Sequence, residues 1–255
     1  MLLYLSMSNI SFDYSKANIL VTGGTSGIGK AIAEAYLASG AGVTITGTKS
    51  SLKEYPDITD KFSYIQLNLE DKKSIDNIKN SIKELDILIN NGGLTFPDGK
   101  SEDIPDIFDR AVYIHLNSFY RISNLLQPLL KKSNIQGGAS IIGIASMSSF
   151  FGMPIVPGYG AGKGGLVQLI KTLSMKWADD SIRINAIAAG FIKTRMTEPI
   201  VNSEEMSKDI INRIALKKFG DPIDIANAVL FMTSPAASYI TGETLKVDGG
   251  YSISS

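Results

Sequence analysis

The 255-residue chain balances 25 Lys and Arg against 25 Asp and Glu, is 44% apolar, and holds one histidine and no cysteine. With no dense basic block it indicates neither a nucleic-acid footprint nor attraction to an anionic membrane, so the expected ligand is small. Having only His115 and no cysteine, it excludes disulfide frameworks, Cys-based zinc sites and His clusters; no metal is expected, and catalysis has to use other groups.

The start, Met1-Leu2-Leu3-Tyr4-Leu5, has no basic flank and is too short for a signal peptide. No later run approaches the roughly 18 apolar residues of a membrane span, so a cytoplasmic protein is expected. Met7 offers a second start, residues 1–6 are given no role, and residues 1–16 read as an N-terminal extension without a separate function. From 17 to 255 no linker or shift in composition divides the chain, which implies a single domain. A strand at Asn18–Val21 leads through a glycine-rich turn into a helical pattern over Lys30–Ala38. Strands follow at Gly42–Thr46, Tyr64–Leu67, Leu85–Ile89 and Ser140–Ile144. A second helical pattern covers Gly162–Ala178, and strands return at Ile182–Ile187 and Thr244–Val247. Short apolar strands alternating with helices predict a parallel sheet covered on both faces, a doubly wound α/β fold. The polar, Met-bearing, helix-capable stretch 194–218 follows a strand's carboxyl end and is a candidate lid.

The glycine-rich turn fits two phosphate-binding patterns. Gly24-x-x-x-x-Gly29-Lys30 approaches a triphosphate loop, but Ala31 stands where that chemistry needs a Ser or Thr hydroxyl on magnesium. Gly23-x-x-x-Gly27-x-Gly29 between a strand and a helix fits a dinucleotide instead, with backbone N–H groups and the helix dipole facing a pyrophosphate. On its own the turn is also explained as a tight strand-to-helix connection with no ligand.

Further motifs lie along the chain in order. Thr22-Gly23-Gly24-Thr25-Ser26-Gly27-Ile28-Gly29 resembles the TGxxxGxG signature of the classical short-chain dehydrogenase/reductase family, and Asn90-Asn91-Gly92-Gly93 resembles its NNAG turn. Ser146, Tyr159 and Lys163 match its Ser and Tyr-x-x-x-Lys spacing. The likeness continues through Ile184–Thr194, Tyr239–Gly242 and Val247–Gly250, covers residues 17–253, and is similar to 3-oxoacyl-acyl-carrier-protein reductase-like members. It implies a nicotinamide-dependent oxidoreductase on a seven-stranded Rossmann-type sheet, assembled as a homotetramer or homodimer.

Tyr159 and Lys163, four apart in a predicted helix, share one face. A ketone reduction needs a hydride on the carbonyl carbon and a proton on its oxygen, and a free tyrosine with a pKa near 10 is poorly matched to exchanging that proton at neutrality. The Lys163 ammonium is expected to favour tyrosinate and lower that value. Ser146, ending the strand from Ile141, is expected to donate to the same oxygen rather than to attack. The resemblance makes Asn117, in Ile114-His115-Leu116-Asn117-Ser118, a fourth catalytic residue at a helix kink, and leaves His115 a structural role pointing elsewhere.

For the cofactor, the resemblance assigns Gly23, Thr25, Ser26, Gly27, Ile28 and Gly29 to the pyrophosphate turn, and Asn68 and Leu69 to adenine. Asn90, Asn91, Gly92 and Gly93 flank the cofactor's ribose and back, Tyr159 and Lys163 join them, and Gly190, Ile192 and Thr194 meet the nicotinamide end. At the end of the second strand Gly47-Thr48-Lys49-Ser50 shows no carboxylate, so Thr48, Lys49 and Ser50 are expected to donate to a 2′-phosphate, favouring NADP(H) with NAD(H) as the alternative. Gly92 in place of Ala, and Ala189 in place of Pro, are expected to loosen their loops slightly. A pocket for a small carbonyl or alcohol substrate is expected from Leu94, Thr95, Phe96 and residues 147–154. Lys193 and Arg195 are either solvated surface charge or a lure for an anionic substrate. The rival to the oxidoreductase is a catalytically silent dinucleotide-binding regulator on the same fold.

Overall fold

The aliphatic runs form seven strands, β1 (Asn18–Val21), β2 (Gly42–Gly47), β3 (Ser63–Gln66), β4 (Ile87–Asn90), β5 (Ala139–Ser146), β6 (Ile182–Ala189) and β7 (Thr244–Val247), in a computed structural model that describes residues 11–254. All pair in parallel, in the order β3-β2-β1-β4-β5-β6-β7. β5 and β6 are buried along their whole lengths, as strands with helices on both faces must be. The expected doubly wound Rossmann-type sheet is thus the observed one, in a single domain. Chain order reverses direction across the sheet between β1 and β4, which opens a crevice at the strands' carboxyl ends.

Among the described residues eight α-helices complete the layers: α1 (Gly27–Ala38), α2 (Lys72–Asn77), α3 (Pro105–Val112), α4 (Ser118–Leu130), α5 (Pro157–Lys176), α6 (Glu198–Val201), α7 (Glu204–Arg213) and α8 (Pro222–Thr233). On one face Ile32 and Tyr36 of α1 pack with Ile225 and Val229 of α8 over β1, β2 and β4. On the other, Ile75, Ile122, Leu126, Leu166 and Ile170 bring α2, α4 and α5 together. A third cluster, Met147, Phe191, Ile214, Phe219 and Tyr251, seats the 194–218 segment on the carboxyl end of the sheet, and that segment is helical as expected. None of the helices among the described residues is long and apolar enough to cross a membrane.

Two boundaries differ from the sequence reading. α5 begins at Pro157, five residues before the periodic pattern. Proline suits a first helical turn, whose N–H groups need no intrahelical partner, while the glycines that follow leave no apolar stripe to read. The N-terminal extension also ends sooner than residue 16. Tyr14 is buried, its ring edge-on to Tyr36 at 4.9 Å, and its hydroxyl donates to the Leu230 carbonyl at 2.6 Å. Both tyrosine hydroxyls lie 2.7 Å from Thr233 Oγ1. Beside them the buried Arg183 guanidinium donates to the carbonyls of Met232 and Thr233, satisfying the open end of α8. Residues 11–16 therefore belong to the domain; residues 1–10, including the 1–6 segment, lie outside the described residues.

Tyr14→Phe is expected to lower stability by about 1–2 kcal/mol, through the lost buried hydrogen bonds, and Tyr14→Ala by about 3–5 kcal/mol through the added cavity. Urea denaturation of both variants against the wild type checks this ordering.

Candidate active site

The site grows from the end of β1. Gly23 holds a left-handed φ of 64°, and Gly29 packs so closely that a Cβ there would stand 2.3 Å from the Gly23 carbonyl oxygen and 2.4 Å from Asn91 Nδ2. Thr22 Oγ1 accepts from the backbone N–H groups of Asn91 and Gly92, both at 3.0 Å. Asn91 Nδ2 in turn donates to the carbonyls of Thr22 at 3.0 Å and Gly23 at 3.2 Å. Asn91, read from the sequence as a cofactor contact, thus has its amide hydrogens committed to bracing two loops together. Asn90 likewise ties its amide to Ser123.

The turn delivers the N-terminus of α1 to the crevice. Ser26 caps it without a side-chain bond, and the first turn carries no acidic residue. Its open N–H groups and positive dipole end suit a pyrophosphate, and the absent Cβ atoms leave the backbone bare for it. The residues present therefore fit a dinucleotide along Gly23–Gly29. Thr194 closes over the turn, its Cγ2 3.3 Å from the place of a Gly27 Cβ, and is itself held by Thr197 Oγ1 at 3.0 Å from its backbone N. Thr197 also donates to the Ile192 carbonyl at 2.5 Å. Lys193 pairs with Asp221 at 3.2 Å, so its charge is met locally, as the surface-charge reading has it.

At the end of β2 the structure adds a carboxylate that the linear order does not show. The turn Leu52–Glu54 is capped reciprocally by Ser51 and Glu54, which folds a carboxylate back onto this end. Ser50 Oγ donates to Glu54 Oε1 at 2.7 Å, and this bond holds the Glu54 carboxyl below its ordinary range. Lys49 Nζ donates to the Glu54 carbonyl at 2.6 Å and lies 4.8 Å from the centre of the Tyr55 ring. The end of β2 is carboxylate-free along the chain but not in space. Asn68, expected at adenine, is exposed, and its Oδ1 accepts from Glu70 N at 3.0 Å.

Ser146, Tyr159 and Lys163 converge at the end of β5. Ser146 is buried and its Oγ accepts from Ser148 N at 3.2 Å. Tyr159 occupies the third position of α5, and Lys163 follows one turn later, its Nζ donating to the Ile144 carbonyl at 2.5 Å and lying 5.6 Å from the Tyr159 ring centre. Burial pushes the Lys163 ammonium down to about 8. Desolvation raises the Tyr159 phenol above its ordinary value, against the downward pull of the Ser146 hydroxyl, and the Glu102 carboxylate raises it further, where lowering by Lys163 was expected. Lys163 is turned instead to a backbone carbonyl.

Two residues of this site were not anticipated. Glu102 is buried, accepting from Tyr159 N at 2.8 Å and from Phe96 N at 3.4 Å, and so clamps the loop after β4 to the first turn of α5. Its carboxylate sits where the helix dipole favours a negative charge. The second is His115. Tyr113–Asn117 is a turn of π-helix between α3 and α4, closed by the Ser118 N–H on the Tyr113 carbonyl. Residues two apart on a helix differ by about 200° and face opposite ways. Asn117, expected to be catalytic, is exposed, whereas His115 is buried, its ring edge-on to Tyr159 at 4.7 Å. A Cβ on Gly93 would lie 2.6 Å from His115 Cε1, and one on Gly162 would lie 2.9 Å from His115 Cβ, so both glycines make room for the imidazole. The kink was legible in the motif; which of its residues faces inward was not. Leu94, Phe96 and Phe150, from the expected pocket segments, keep apolar surface exposed nearby. Among the described residues no cluster of potential metal ligands is present.

A family model described as Enoyl-(Acyl carrier protein) reductase matches residues 23–252. The chain is 35% identical over 250 residues to a 2-dehydro-3-deoxy-D-gluconate 5-dehydrogenase of Bacillus subtilis, covering 94% of this chain and 96% of that one. It is equally 35% identical, over 240 residues, to a 3-oxoacyl-acyl-carrier-protein reductase, FabG, of Rickettsia typhi, covering 93% and 98% of the two chains. Among solved structures, a putative 2-deoxy-D-gluconate 3-dehydrogenase from Agrobacterium tumefaciens with bound NADP superposes with a TM-score of 0.84 at 31% identity, covering 95% of this chain and 99% of that one.

Gly29→Ala is expected to destabilise the protein by about 1–3 kcal/mol, because backbone on both sides must shift, and to weaken NADPH binding in a fluorescence titration by about tenfold or more. The buried Lys163 has a folded value of about 8, below the 10.5 of an unperturbed lysine. Between these two pH values the unfolded chain holds a proton that the folded chain has lost, so this group's contribution to stability rises with pH across the window. Denaturation at pH values on either side of it should show that rise, and Lys163→Met should flatten it.

Proposed function

The chain belongs to the classical short-chain dehydrogenase/reductase family, NAD(P)-binding oxidoreductases of CH–OH and C=O groups, and from that premise we propose that it interconverts a ketone and a secondary alcohol with NADP(H), using Tyr159 as general acid and base. The observation that carries this reading is the convergence of Ser146, Tyr159 and Lys163 at the carboxyl end of β5, in the crevice that the glycine turn also enters. The dinucleotide, when bound along Gly23–Gly29 and under Thr194, supplies the hydride. Ser146 orients the substrate oxygen by hydrogen bonding and stabilises charge growing there. Tyr159 donates its hydroxyl proton to that oxygen in reduction and accepts it in oxidation. Its raised value keeps it protonated across neutral pH, which suits the reductive direction. Lys163, still cationic at neutrality, is the charge that stabilises the tyrosinate once the proton has left.

The preference for NADP(H) rests on Thr48 and Lys49 and on the NADP bound in the Agrobacterium neighbour. Since Glu54 engages Ser50 and its carbonyl holds Lys49, Lys49 has to leave that carbonyl to meet a 2′-phosphate. The 194–218 segment serves as the lid, hinged beside Thr194. Exposed apolar groups on α5 (Met175), α4 (Tyr120) and β7 (Leu245) support assembly of two or four copies.

Fluorescence titration with NADPH and NADH, followed by a ketone panel, tests the proposal. NADPH should bind more tightly, and Tyr159→Phe should keep that binding while turnover falls by about 10²–10⁴-fold. Turnover unchanged in Tyr159→Phe would remove the assigned role.

A further inference from the structure

The first turn of α5 begins without a cap of its own. Val156, the residue ahead of it, has no side chain that accepts, and the N–H of Tyr159 is one of the donors this leaves open. Glu102 provides the acceptor from 57 positions away, its Oε2 taking the Tyr159 N–H at 2.8 Å. It reaches because α5 starts hard against α3: a Cβ on Gly158 would stand 2.9 Å from the Phe108 carbonyl oxygen and 3.0 Å from Ala111 Cβ. The other oxygen, Oε1, takes the N–H of Phe96 at 3.4 Å, in the loop after β4. Phe96 holds a left-handed φ of 50°, a conformation that a bulky residue leaves unless its backbone is held. Its carbonyl accepts from Gly99 N at 2.7 Å, and its ring stays partly exposed. Glu102 itself is 1% exposed, and among the described residues no cation is paired with it. Burying a charge in that way costs stability, and an uncharged amide oxygen would serve the Tyr159 N–H without the cost.

We propose that Glu102 is a positioning residue for the reaction: one carboxylate oxygen holds the substrate-side loop at Phe96 and the other seats Tyr159, so that the wall of the pocket and the proton donor move as one unit. The charge has a second effect on the same residue. Burial raises the Tyr159 phenol, and against the pull of the Ser146 hydroxyl the Glu102 carboxylate raises it further. The phenol therefore keeps its proton to higher pH, as a donor to a ketone oxygen must. The titratable groups facing it are Lys163 from α5, 5.6 Å from its ring centre, His115 from the π turn, edge-on at 4.7 Å, and Glu102 from the loop ahead of α3. Burial pushes His115 down to about 3, so it is neutral, and brings Lys163 down to about 8. In the alkaline range where the phenol titrates, Glu102 is the charged group left beside it.

The kinetic half of this inference rests on the oxidoreductase reading; the ionisation of Tyr159 does not, and the experiment separates them. Isotope labelling of tyrosine at Cζ reports ionisation by NMR of the cofactor-free protein, and the Tyr159 signal is the one that Tyr159→Phe removes. Glu102→Gln keeps the size of the side chain and an acceptor for Tyr159 N while removing the charge. It should move the Tyr159 transition down by roughly half to one pH unit. The alkaline limb of kcat for ketone reduction and the acid limb for alcohol oxidation should move down with it. Glu102→Asp keeps the charge but is one methylene short of spanning both N–H groups, so KM should rise by about threefold to tenfold while the transition stays above that of Glu102→Gln. A transition and limbs unmoved by Glu102→Gln, with only the urea midpoint lowered, would make Glu102 a structural clamp and overturn the proposal. A KM unmoved by Glu102→Asp would overturn it too, and decides the matter should Glu102→Gln fail to fold. Ketone turnover indifferent to Tyr159→Phe would instead sink the oxidoreductase assignment, and the Cζ titration would then decide the effect of Glu102 on its own.

Discussion

The contact on which the site depends is a backbone one. Gly29, at the start of α1, lies against the Gly23 carbonyl and the Asn91 amide with no space for a methyl group. Four hydrogen bonds then stitch the same two loops, all donated by Asn91 and Gly92 and accepted by Thr22 and Gly23. Because β1 and β4 are neighbours at the point where the sheet reverses, these bonds set the width of the crevice. The helix N-terminus, the loop carrying Gly92 and Gly93, and the floor under the reacting groups are all positioned from this one junction. It also explains why Asn91 acts from behind the crevice wall: both of its amide hydrogens are needed to hold the wall up.

The second organising constraint is the burial of charge. Lys163 is an ammonium with a single backbone carbonyl as its direct partner, and desolvation lowers its proton affinity accordingly. No carboxylate is paired with it in the described structure; Glu102, the acid that approaches the site, is spent on the first turn of α5 and pushes Tyr159 the other way. The site is therefore poised rather than relaxed. Burial and the Glu102 carboxylate hold the phenol protonated, while burial brings the Lys163 ammonium down to about 8. A structure optimised only for stability would not retain a buried lysine in this state.

The architecture was largely legible in the sequence because its signals are local and repeated. Strand runs such as Asn18–Val21 and Thr244–Val247 coincide with β1 and β7, and the alternation with helices fixes the parallel sheet. Ser146, Tyr159 and Lys163 were legible because a one-turn spacing and a strand end both survive in the linear order. What was hidden depends on direction or on distance along the chain. Glu102 reaches Tyr159 across 57 positions, and no spacing announces it. Glu54 bends back through a capped turn onto a strand end that reads as free of carboxylates. His115 and Asn117 share a kink and face opposite ways, and the linear motif does not say which of the two faces inward. Tyr14 was hidden among residues whose composition resembles a tail, since its partners Tyr36, Thr233 and Leu230 are contributed by α1 and α8.

Relatives named for a sugar-acid substrate and for an acyl carrier stand at the same 35% identity to this chain. Ser146 ends the buried strand β5, and Tyr159 and Lys163 are held by α5. The proposed substrate side, the loop after β4, the 147–154 segment and the 194–218 helices, retains exposed apolar surface at Leu94, Phe96, Phe150 and Met196. On the proposed function, exposed loops of this kind are where substrate preference can change while the buried groups stay in place. His115 joins the two regions, its Nε2 at the Leu94 carbonyl and its ring edge-on to Tyr159.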